Sequence, residues 1–236
     1  MHYVISDIHG CYEQYKQLLN KIAFNENDIL YVLGDVVDRG PHPIKVLQDI
    51  INRSNVVFLL GNHDYLMMDV MKKILNSMKY NNELSDEDKT EYFMWLRNGG
   101  YVTEEDFLQL DEAEQNKIFH YIENASVYEE CCCGNKKFLL VHAGFGNYKL
   151  EKPLGDYELF DLIESRVDYS KRYFEDTYLV TGHTPTPCIT GNRNFEVYEA
   201  NGHIAIDCGC VFGGRLAAYC LETGVAIYVD GMQMEV

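Results

Sequence analysis

Polar residues that commonly bind metal ions follow a series of short apolar runs in this chain. Five such segments occur in order: Asp7-Ile8-His9, residues 34–40, Gly61-Asn62-His63-Asp64, His142-Ala143-Gly144 and Gly182-His183-Thr184. Carboxylate, amide and imidazole groups suit Mn, Fe, Zn or Ni, and a carboxylate can give one oxygen to each of two ions. One segment alone would indicate only a turn or a helix cap. Five in succession, each directly after a strand-like run, indicate a metal site.

Short β-branched runs alternate with longer segments of helical period around the first three of these segments. Strands are predicted at residues 3–5, 29–33 and 56–60, and helices at residues 11–23, 43–51 and from 64 toward 75. This alternation is typical of βαβ units in a parallel sheet. Ligands of such sheets bind in the crevice beyond the carboxyl ends of the strands. The polar segments are therefore expected to converge at one edge of the sheet.

A charged segment with a helical pattern, at about residues 76–124, separates these units from a second β-rich region. Its Ser85-Asp86-Glu87-Asp88 resembles a capping box, which predicts a helical cap inserted into a single domain of residues 1–236. Aromatic residues such as Tyr80, Phe93, Trp95 and Tyr101 are expected mainly in the core, with substrate selection as the alternative. Further strands are predicted at residues 126–133, 136–141, 178–181, 195–199, 203–206, 216–221 and 225–229.

Three of the polar segments are similar to the motifs of one enzyme family. Residues 6–10 read Ser-Asp-Ile-His-Gly, residues 34–40 read Gly-Asp-Val-Val-Asp-Arg-Gly, and residues 61–64 read Gly-Asn-His-Asp. They resemble the Gly-Asp-x-His-Gly, Gly-Asp-x-Val-Asp-Arg-Gly and Gly-Asn-His-Glu motifs of the phosphoprotein-phosphatase family of calcineurin-like binuclear metallophosphoesterases. The likeness extends from Met1 to about Gly214. It implies an α/β fold in which two β sheets form a sandwich flanked by helices, in α-β-β-α layers.

The resemblance also implies which side chains hold the metals. One ion would be bound by Asp7, His9 and Asp35, and the other by Asp35, Asn62, His142 and His183, so that Asp35 bridges the two. Two divalent ions are expected, with Mn first and Fe, Zn, Ni or Mg as alternatives. Ions about 3.5–4 Å apart can clamp an in-line displacement at phosphorus and lower the pKa of water from ~15.7 toward ~7.

A proton donor for the leaving group follows from the same resemblance. His63 is expected to be the general acid that protonates a departing alkoxide, with Asp38 fixing its tautomer. The alternative for His63 is a simple cap of the following helix.

Two arginines are expected to bind phosphate. Arg39 follows Asp38 directly, and its planar fork can bind two phosphate oxygens. A surface arginine after a turn is the alternative for Arg39. Arg166 is the best match for a second phosphate-binding arginine, and Arg172 and Arg193 compete with it.

Two readings of the substrate remain from the sequence. Residues 182–185 read Gly-His-Thr-Pro, where many other metallophosphoesterases have Gly-His-x-His with a further metal ligand. Pro185 cannot bind a metal, which favours the phosphoprotein-phosphatase branch over phosphodiesterases and nucleases. Dephosphorylation of phosphoserine or phosphothreonine in proteins is the first expectation. Symmetrical cleavage of a dinucleoside tetraphosphate to two nucleoside diphosphates is the alternative, which Asp64, the helical cap and Gly213-Gly214 favour.

The composition limits the partners. The chain has 236 residues, with 20 Lys and Arg against 37 Asp and Glu, and a formal net charge of −17. This charge disfavours nucleic acid as a partner, because the phosphate backbone is itself negative. No apolar run approaches the ~18 residues that span a bilayer, and no signal peptide is recognised. The 8 cysteines include a consecutive run at residues 131–133 and suit reduced thiols. A cytoplasmic enzyme without a membrane partner is expected.

Overall fold

The computed structural model describes residues 1–233, and residues 234–236 of the predicted domain lie outside this range. The strands are β1 (His2–Ile5), β2 (Ile29–Val32), β3 (Val56–Phe58), β4 (Tyr128–Cys133), β5 (Lys136–Val141), β6 (Thr177–Thr181), β7 (Tyr198–Ala200), β8 (His203–Ala205), β9 (Arg215–Cys220) and β10 (Val225–Asp230). The helices are α1 (Tyr12–Lys21), α2 (Pro43–Ile51), α3 (Asn62–Tyr80), α4 (Asp86–Trp95), α5 (Tyr101–Leu108), α6 (Glu112–Glu123), α7 (Leu159–Ile163) and α8 (Thr186–Thr190). A π-helical turn, Leu96–Gly100, joins α4 to α5.

Two five-stranded sheets carry the fold, in the orders β10-β9-β1-β2-β3 and β4-β5-β6-β8-β7. β1, β2 and β3 run parallel to one another, and so do β5, β6 and β8. Val4 and Tyr31 of the first sheet share a buried apolar cluster with Leu140 and Val180 of the second. The two sheets therefore stack face to face as a sandwich.

Helices cover the outer face of each sheet. Leu18 of α1 and Leu47 of α2 pack with Ile5 in a second apolar cluster. Leu162 of α7 packs with Leu139 in a third cluster on the outer face of the other sheet. This arrangement gives the α-β-β-α layers of an α/β sandwich, and it confirms the predicted fold class.

The pairing of the parallel strands brings the polar loops together. Ile5 pairs with Val32, and Val32 pairs with Phe58, so β1, β2 and β3 end at the same edge. In the second sheet Leu140 pairs with Val180, shortly before His142 and His183. The convergence predicted from the strand exits is therefore confirmed at the level of the backbone.

Some element bounds differ from the sequence-based expectations for local reasons. α1 ends at Lys21, short of the expected residue 23, because Ala23 adopts a left-handed φ of 51°. β7 begins at Tyr198 and not at residue 195, because Phe195 has a left-handed φ of 46° that no strand residue adopts. α7 and α8 were not predicted, and each has only 5 residues, too few to show a periodic pattern.

The predicted cap segment is helical. Its expected start at residue 76 falls inside α3, which continues to Tyr80. Ser85 caps α4 by accepting the Asp88 N–H at 3.0 Å, as the capping box predicted. Trp95 is buried in the apolar cluster that contains residues of the first sheet, so the cap packs directly on that side of the sandwich. The expectation of core aromatics is wrong for Tyr80, Phe93 and Tyr101, whose side chains are exposed.

α3 is 19 residues long. Neither it nor any other helix within residues 1–233 combines the length and the apolar character needed to cross a membrane.

Candidate active site

The loops after the strands bend sharply at the residues that could do chemistry. Left-handed φ angles between 44° and 70° occur at six of these non-glycine residues: Asp7, His9, Asp35, Asp38, Arg39 and His183. Such conformations cost about 1–3 kcal/mol each and persist only where the surrounding structure holds them. Their concentration in these loops indicates that part of the free energy of folding offsets this strain, which fixes the directions of these side chains.

One group of candidate metal ligands comes from both sheets. The ligand atoms of Asp35, His142 and His183 lie within 4.8 Å of one another. His142 donates its Nδ1 proton to the Leu33 carbonyl at 2.5 Å, which leaves Nε2 free, 3.1 Å from Asn62 Oδ1 and 3.5 Å from Asp35 Oδ1. His183 Nδ1 lies 3.0 Å from the same Asn62 oxygen.

A second group lies beside Asp35 on the other side. His9 donates its Nδ1 proton to the Val37 carbonyl at 2.8 Å, so its Nε2 is free and lies 3.7 Å from Asp35 Oδ2. The third member of this group, within 4.8 Å, is His63, which was expected to be the general acid. Asp7, which was expected to be a ligand here, is not in the group. The Asp7 carboxylate instead accepts the backbone N–H of His183 at 2.9 Å and the Ser6 hydroxyl.

These donor atoms fit divalent ions. An ion with bonds of about 2.1 Å places adjacent ligand atoms about 3.0–3.4 Å apart in octahedral or tetrahedral geometry. The separations around Asn62 Oδ1 and Asp35 Oδ1, 3.0 to 3.5 Å, are close to that range. Asp35 has one oxygen facing each histidine group, as a bridging carboxylate requires.

The charge balance of the site also favours cations. Burial raises the pKa of Asp7 to about 6, with a further contribution from the Asp35 carboxylate. Burial likewise raises the pKa of Asp207 well above its usual range, and Asp7 adds to the effect. Burial alone would lower the pKa of His142, but the Asp35 and Asp7 carboxylates raise it to about 10. The negative charges of these neighbouring buried carboxylates would be offset by bound cations.

Asp64 holds the Asp35 loop in place. Its Oδ2 accepts the backbone N–H of Asp35 at 2.6 Å and that of Gly61 at 3.1 Å, and its Oδ1 accepts the N–H of Val36 at 3.0 Å. Burial, followed by the Asp35 charge, raises the pKa of Asp64 to about 7. The residue is thus a buried support for the Asp35 loop.

His63 and Asp38 form a buried pair. His63 Nδ1 lies 2.7 Å from Asp38 Oδ2 and donates to it, which leaves Nε2 directed toward the cleft. Asp38 accepts two further hydrogen bonds: Trp95 Nε1–H donates to Oδ2 at 3.0 Å, and the Thr103 hydroxyl donates to Oδ1 at 2.7 Å. The Asp38 N–H in turn donates to the Thr103 oxygen at 2.9 Å. The helical cap therefore fixes the carboxylate that orients His63.

The sequence did not identify Trp95 and Thr103 as part of the site, since they lie 57 and 65 residues from Asp38. One signal was present: Asn98-Gly99-Gly100 interrupts an otherwise helical segment. Gly99 has a φ of 104°, and a Cβ there would lie 2.6 Å from Arg39 Cγ. Its carbonyl accepts the Arg39 N–H at 2.9 Å. The glycines thus let the cap approach Arg39 closely.

Arg39 lies across the mouth of the site. Its Nη1 is 2.6 Å from His9 Nε2, its Nη2 is 2.7 Å from His63 Nε2, and its guanidinium is 5.2 Å from the centre of the Phe212 ring. Asn98 Oδ1 accepts a hydrogen bond from Nη2 at 3.3 Å. One lone pair on His9 cannot serve both an arginine and a metal, so metal binding at His9 requires this guanidinium to turn away, toward the cleft.

A cleft of about 560 Å³ contains most of these groups, among them Asp35, Asn62, His63 and His183. Arg39 and Arg166 both line it. The competing arginines lie elsewhere. Arg172 donates to the carbonyls of Phe174 and Glu175, and Arg193 lines a neighbouring pocket. Arg166 is therefore the better placed of the three for the phosphate-binding role, which remains a prediction.

A comparison with family models decides the family of this chain. The model for the calcineurin-like phosphoesterases matches residues 3–229. The chain belongs to this family. Calcineurin-like phosphoesterases depend on two divalent metal ions, and the Asp and His clusters described above are suited to hold them. The chain is thus a phosphoesterase hydrolase by family, and the phosphoester that it cleaves is considered below.

Two named relatives of this chain are tetraphosphatases. The symmetrical bis(5'-nucleosyl)-tetraphosphatase of Buchnera aphidicola is 38% identical over 123 residues, covering 50% of this chain and 43% of that enzyme. The asymmetrical bis(5'-nucleosyl)-tetraphosphatase PrpE of Oceanobacillus iheyensis is 27% identical over 245 residues, covering 92% of this chain and 86% of that enzyme. The chain thus spans less than half the length of the first relative but most of the second.

Two solved structures share the fold. A candidate diadenosine tetraphosphatase superimposes with a TM-score of 0.66 at 20% identity, covering 99% of this chain and 94% of that one. A protein serine/threonine phosphatase from Saccharomyces cerevisiae gives a TM-score of 0.56 at 14% identity, covering 100% of this chain and 80% of that one. At these identities the likeness concerns the fold alone.

Proposed function

We propose that this chain hydrolyses dinucleoside tetraphosphates. The observation that carries the proposal is the set of pockets around the candidate metal ligands. The central cleft shares Arg166 and Cys188 with a pocket of about 620 Å³, and Phe195 and Phe212 with another of about 700 Å³. A dinucleoside tetraphosphate has an anionic centre and a nucleoside at each end. A phosphoserine side chain would need only the central cleft.

The named relatives support the same reading. The sequence alone favoured phosphoserine and phosphothreonine proteins, with the tetraphosphate as the alternative. The relatives named above are tetraphosphatases of both the symmetrical and the asymmetrical type. We therefore place tetraphosphate hydrolysis first and protein dephosphorylation second. Product analysis decides whether the cleavage is symmetrical or asymmetrical.

Different residues would bind the metals, bind the phosphates and donate a proton. We propose as metal ligands Asp7, His9, Asp35, Asn62, His142 and His183, with Mn as the first metal to test. Two divalent ions there would supply a nucleophile derived from water at neutral pH and offset charge on the phosphates. Arg39 and Arg166 would bind phosphate oxygens from the walls of the cleft. His63, oriented by Asp38, would give a proton to the leaving oxygen.

Protein phosphatase activity is the second candidate. It is favoured by the complete Gly-Asp-Val-Val-Asp-Arg-Gly segment at residues 34–40 and by the open, strongly exposed mouth at Phe212. A protein substrate carries one phosphate on a side chain, so its affinity would not depend on the neighbouring pockets. The location in the cytoplasm stays a prediction for either substrate.

One assay separates the two candidates. Purified protein loaded with Mn is given diadenosine tetraphosphate or a phosphoserine peptide, and products are resolved by anion-exchange chromatography. The proposal expects a kcat/KM for the tetraphosphate at least about 100-fold above that for the peptide, with either ADP alone or ATP plus AMP as products. Rapid dephosphorylation of the peptide without cleavage of the tetraphosphate would reject it. Heat-inactivated protein with the same Mn is the control.

A further inference from the structure

A second pocket lies beside the central cleft, and the proposed hydrolysis assigns no role to the aromatic and arginine side chains that line it. We name it the phenylalanine pocket and define it by Arg193, Phe195, Phe212, Gly214 and Arg215. Its volume is about 700 Å³, and two of its residues, Phe195 and Phe212, also line the central cleft. A ligand held in the cleft can therefore extend into this pocket without crossing solvent.

Two aromatic rings form the wall between the pocket and the cleft. The Phe212 side chain is 50% exposed, so its ring is accessible from the cleft and from the pocket. Phe195 adopts a left-handed φ of 46°, a strained conformation for a bulky residue. Strain of this kind concentrates at functional sites, where the surrounding structure maintains it.

A loop of glycines seats the Phe195 ring. A Cβ at Gly214 would lie 2.3 Å from Phe195 Cδ1, and one at Gly209 would lie 3.1 Å from the same atom. Any larger residue at Gly214 would therefore displace the ring. The absence of side chains at these glycines thus lets the Phe195 ring pack directly on the backbone at the edge of the candidate active site.

Arginine side chains line both the cleft and the pocket, and the pocket also contains the Asp230 carboxylate. The Arg39 guanidinium lies 5.2 Å from the Phe212 ring centre, on the cleft side. On the pocket side, Arg193 makes no hydrogen bond or ion pair with the other described residues. Arg215 forms an ion pair with Glu196, with 3.2 Å between Nη1 and Oε1. Arg193 is thus the cation free to meet an anionic group that leaves the cleft past Phe212.

Aromatic faces next to a free arginine suit a nucleotide. Bases stack on aromatic side chains whatever their identity, and arginine binds phosphate oxygens. We propose that the phenylalanine pocket binds one nucleoside end of the substrate, with the base on the Phe195 and Phe212 rings and the adjoining phosphate near Arg193. This inference rests on the proposed function, because it assigns a place to one end of the dinucleoside tetraphosphate.

The test compares substrates with and without a nucleoside. Phe195→Leu removes the ring but keeps an apolar side chain, and Arg193→Gln removes the charge. The readout is the ratio of kcat/KM for diadenosine tetraphosphate to kcat/KM for 4-nitrophenyl phosphate. We expect each variant to lower this ratio by roughly fivefold or more, the loss given by one base stack or one phosphate contact. The control Phe93→Leu changes an exposed ring that lines neither pocket and should leave the ratio unchanged.

A binding measurement keeps the inference separate from the proposed reaction. Calorimetry with ADP and with inorganic pyrophosphate gives the advantage that the nucleoside confers on the Mn-loaded protein. The wild-type protein is expected to bind ADP at least about fivefold more tightly, and Phe195→Leu is expected to abolish most of that advantage. If ADP shows no advantage, or keeps it in Phe195→Leu, the pocket assignment is wrong even where the tetraphosphate is cleaved. If the Phe195-dependent advantage is present but the tetraphosphate is not cleaved, the proposed reaction is wrong and the pocket assignment stands.

Discussion

Thr103 offers the sharpest test of how the helical cap supports catalysis. Thr103→Val keeps the shape of the side chain but removes the hydroxyl that donates to Asp38 Oδ1 at 2.7 Å and accepts the Asp38 N–H at 2.9 Å. Both residues are fully buried, so water cannot replace the lost partner. An unpaired buried polar group costs about 1–3 kcal/mol, and two groups lose their partner here, so we expect a loss of roughly 2–6 kcal/mol in the free energy of unfolding.

The same substitution is expected to slow catalysis selectively. The Asp38 carboxylate keeps its bonds to Trp95 and His63 but loses the third, so the His63 imidazole is held less firmly. Small displacements of a catalytic group cost up to about 100-fold, and we expect kcat on alkyl phosphates to fall roughly 10- to 100-fold. The loss on 4-nitrophenyl phosphate should be much smaller, because nitrophenolate needs little protonation.

The assay is a series of phosphate esters with leaving groups of graded pKa, run below the melting temperature of the variant. Thr90→Val is the matched control, because the Thr90 hydroxyl donates to the Asp86 carbonyl at 2.8 Å on the exposed face of α4. A steeper dependence of kcat on the leaving-group pKa in Thr103→Val supports the account. Equal losses on all esters, or a lower melting temperature with unchanged kcat, would refute the positioning role.

Three further substitutions have defined outcomes. His63→Asn should lower kcat on alkyl phosphates by roughly 100-fold or more and on phosphoanhydrides much less, because a phosphate leaving group is a weaker base than an alkoxide. Gly99→Ala places a Cβ 2.6 Å from Arg39 Cγ at a φ of 104°, and kcat/KM should fall roughly tenfold as the arginine is displaced. Burial would raise the pKa of Glu222, but hydrogen bonds from His2 hold it at about 2, below its ordinary 4.5. Glu222→Gln should therefore cost on the order of 1 kcal/mol at pH 7, after allowance for solvent screening of this partly exposed pair, and the difference should vanish as the pH falls from 4.5 toward 2.

Each of these three substitutions has a control variant or a result that would contradict it. Gly155→Ala is the control for Gly99→Ala, since a Cβ at Gly155 meets no atom within 4 Å. Glu83→Gln, at an exposed carboxylate, is the control for the melting curves of Glu222→Gln. A Glu222→Gln deficit that stays constant between pH 7 and pH 3 would show that its cause is not the charge of the carboxylate. Equal losses on both classes of substrate would argue that His63 has a role other than proton donation.

The sequence predicted the parts of this molecule that depend on local patterns. The βαβ units around β1, β2 and β3 were recognisable because apolar runs, glycines and polar exits repeat in a fixed order. The convergence of the loops followed from parallel pairing, which places the ends of neighbouring strands at one edge. For the same reason the structure brings His142 and His183 of the second sheet close to Asn62.

What the sequence did not predict depends on contacts between distant segments. Trp95 and Thr103 resembled ordinary helix residues, and only the fold shows that they bind Asp38. The left-handed φ of Phe195 could not be read from a phenylalanine in a β-rich stretch, so the start of β7 was wrong. Arg166 could be distinguished from Arg172 and Arg193 only once the lining of the cleft was known.

The central claim is that two divalent ions are bound with Asp35 between them. The direct test is elemental analysis by mass spectrometry of the purified, Mn-loaded wild-type protein and of Asp35→Asn. Asp28→Asn is the control, because this carboxylate lies directly before β2 whereas Asp35 follows that strand. The account predicts about two ions per chain in the wild type and in the control, and fewer than one in Asp35→Asn. Full activity in metal-free protein, or an unchanged metal content in Asp35→Asn, would contradict it.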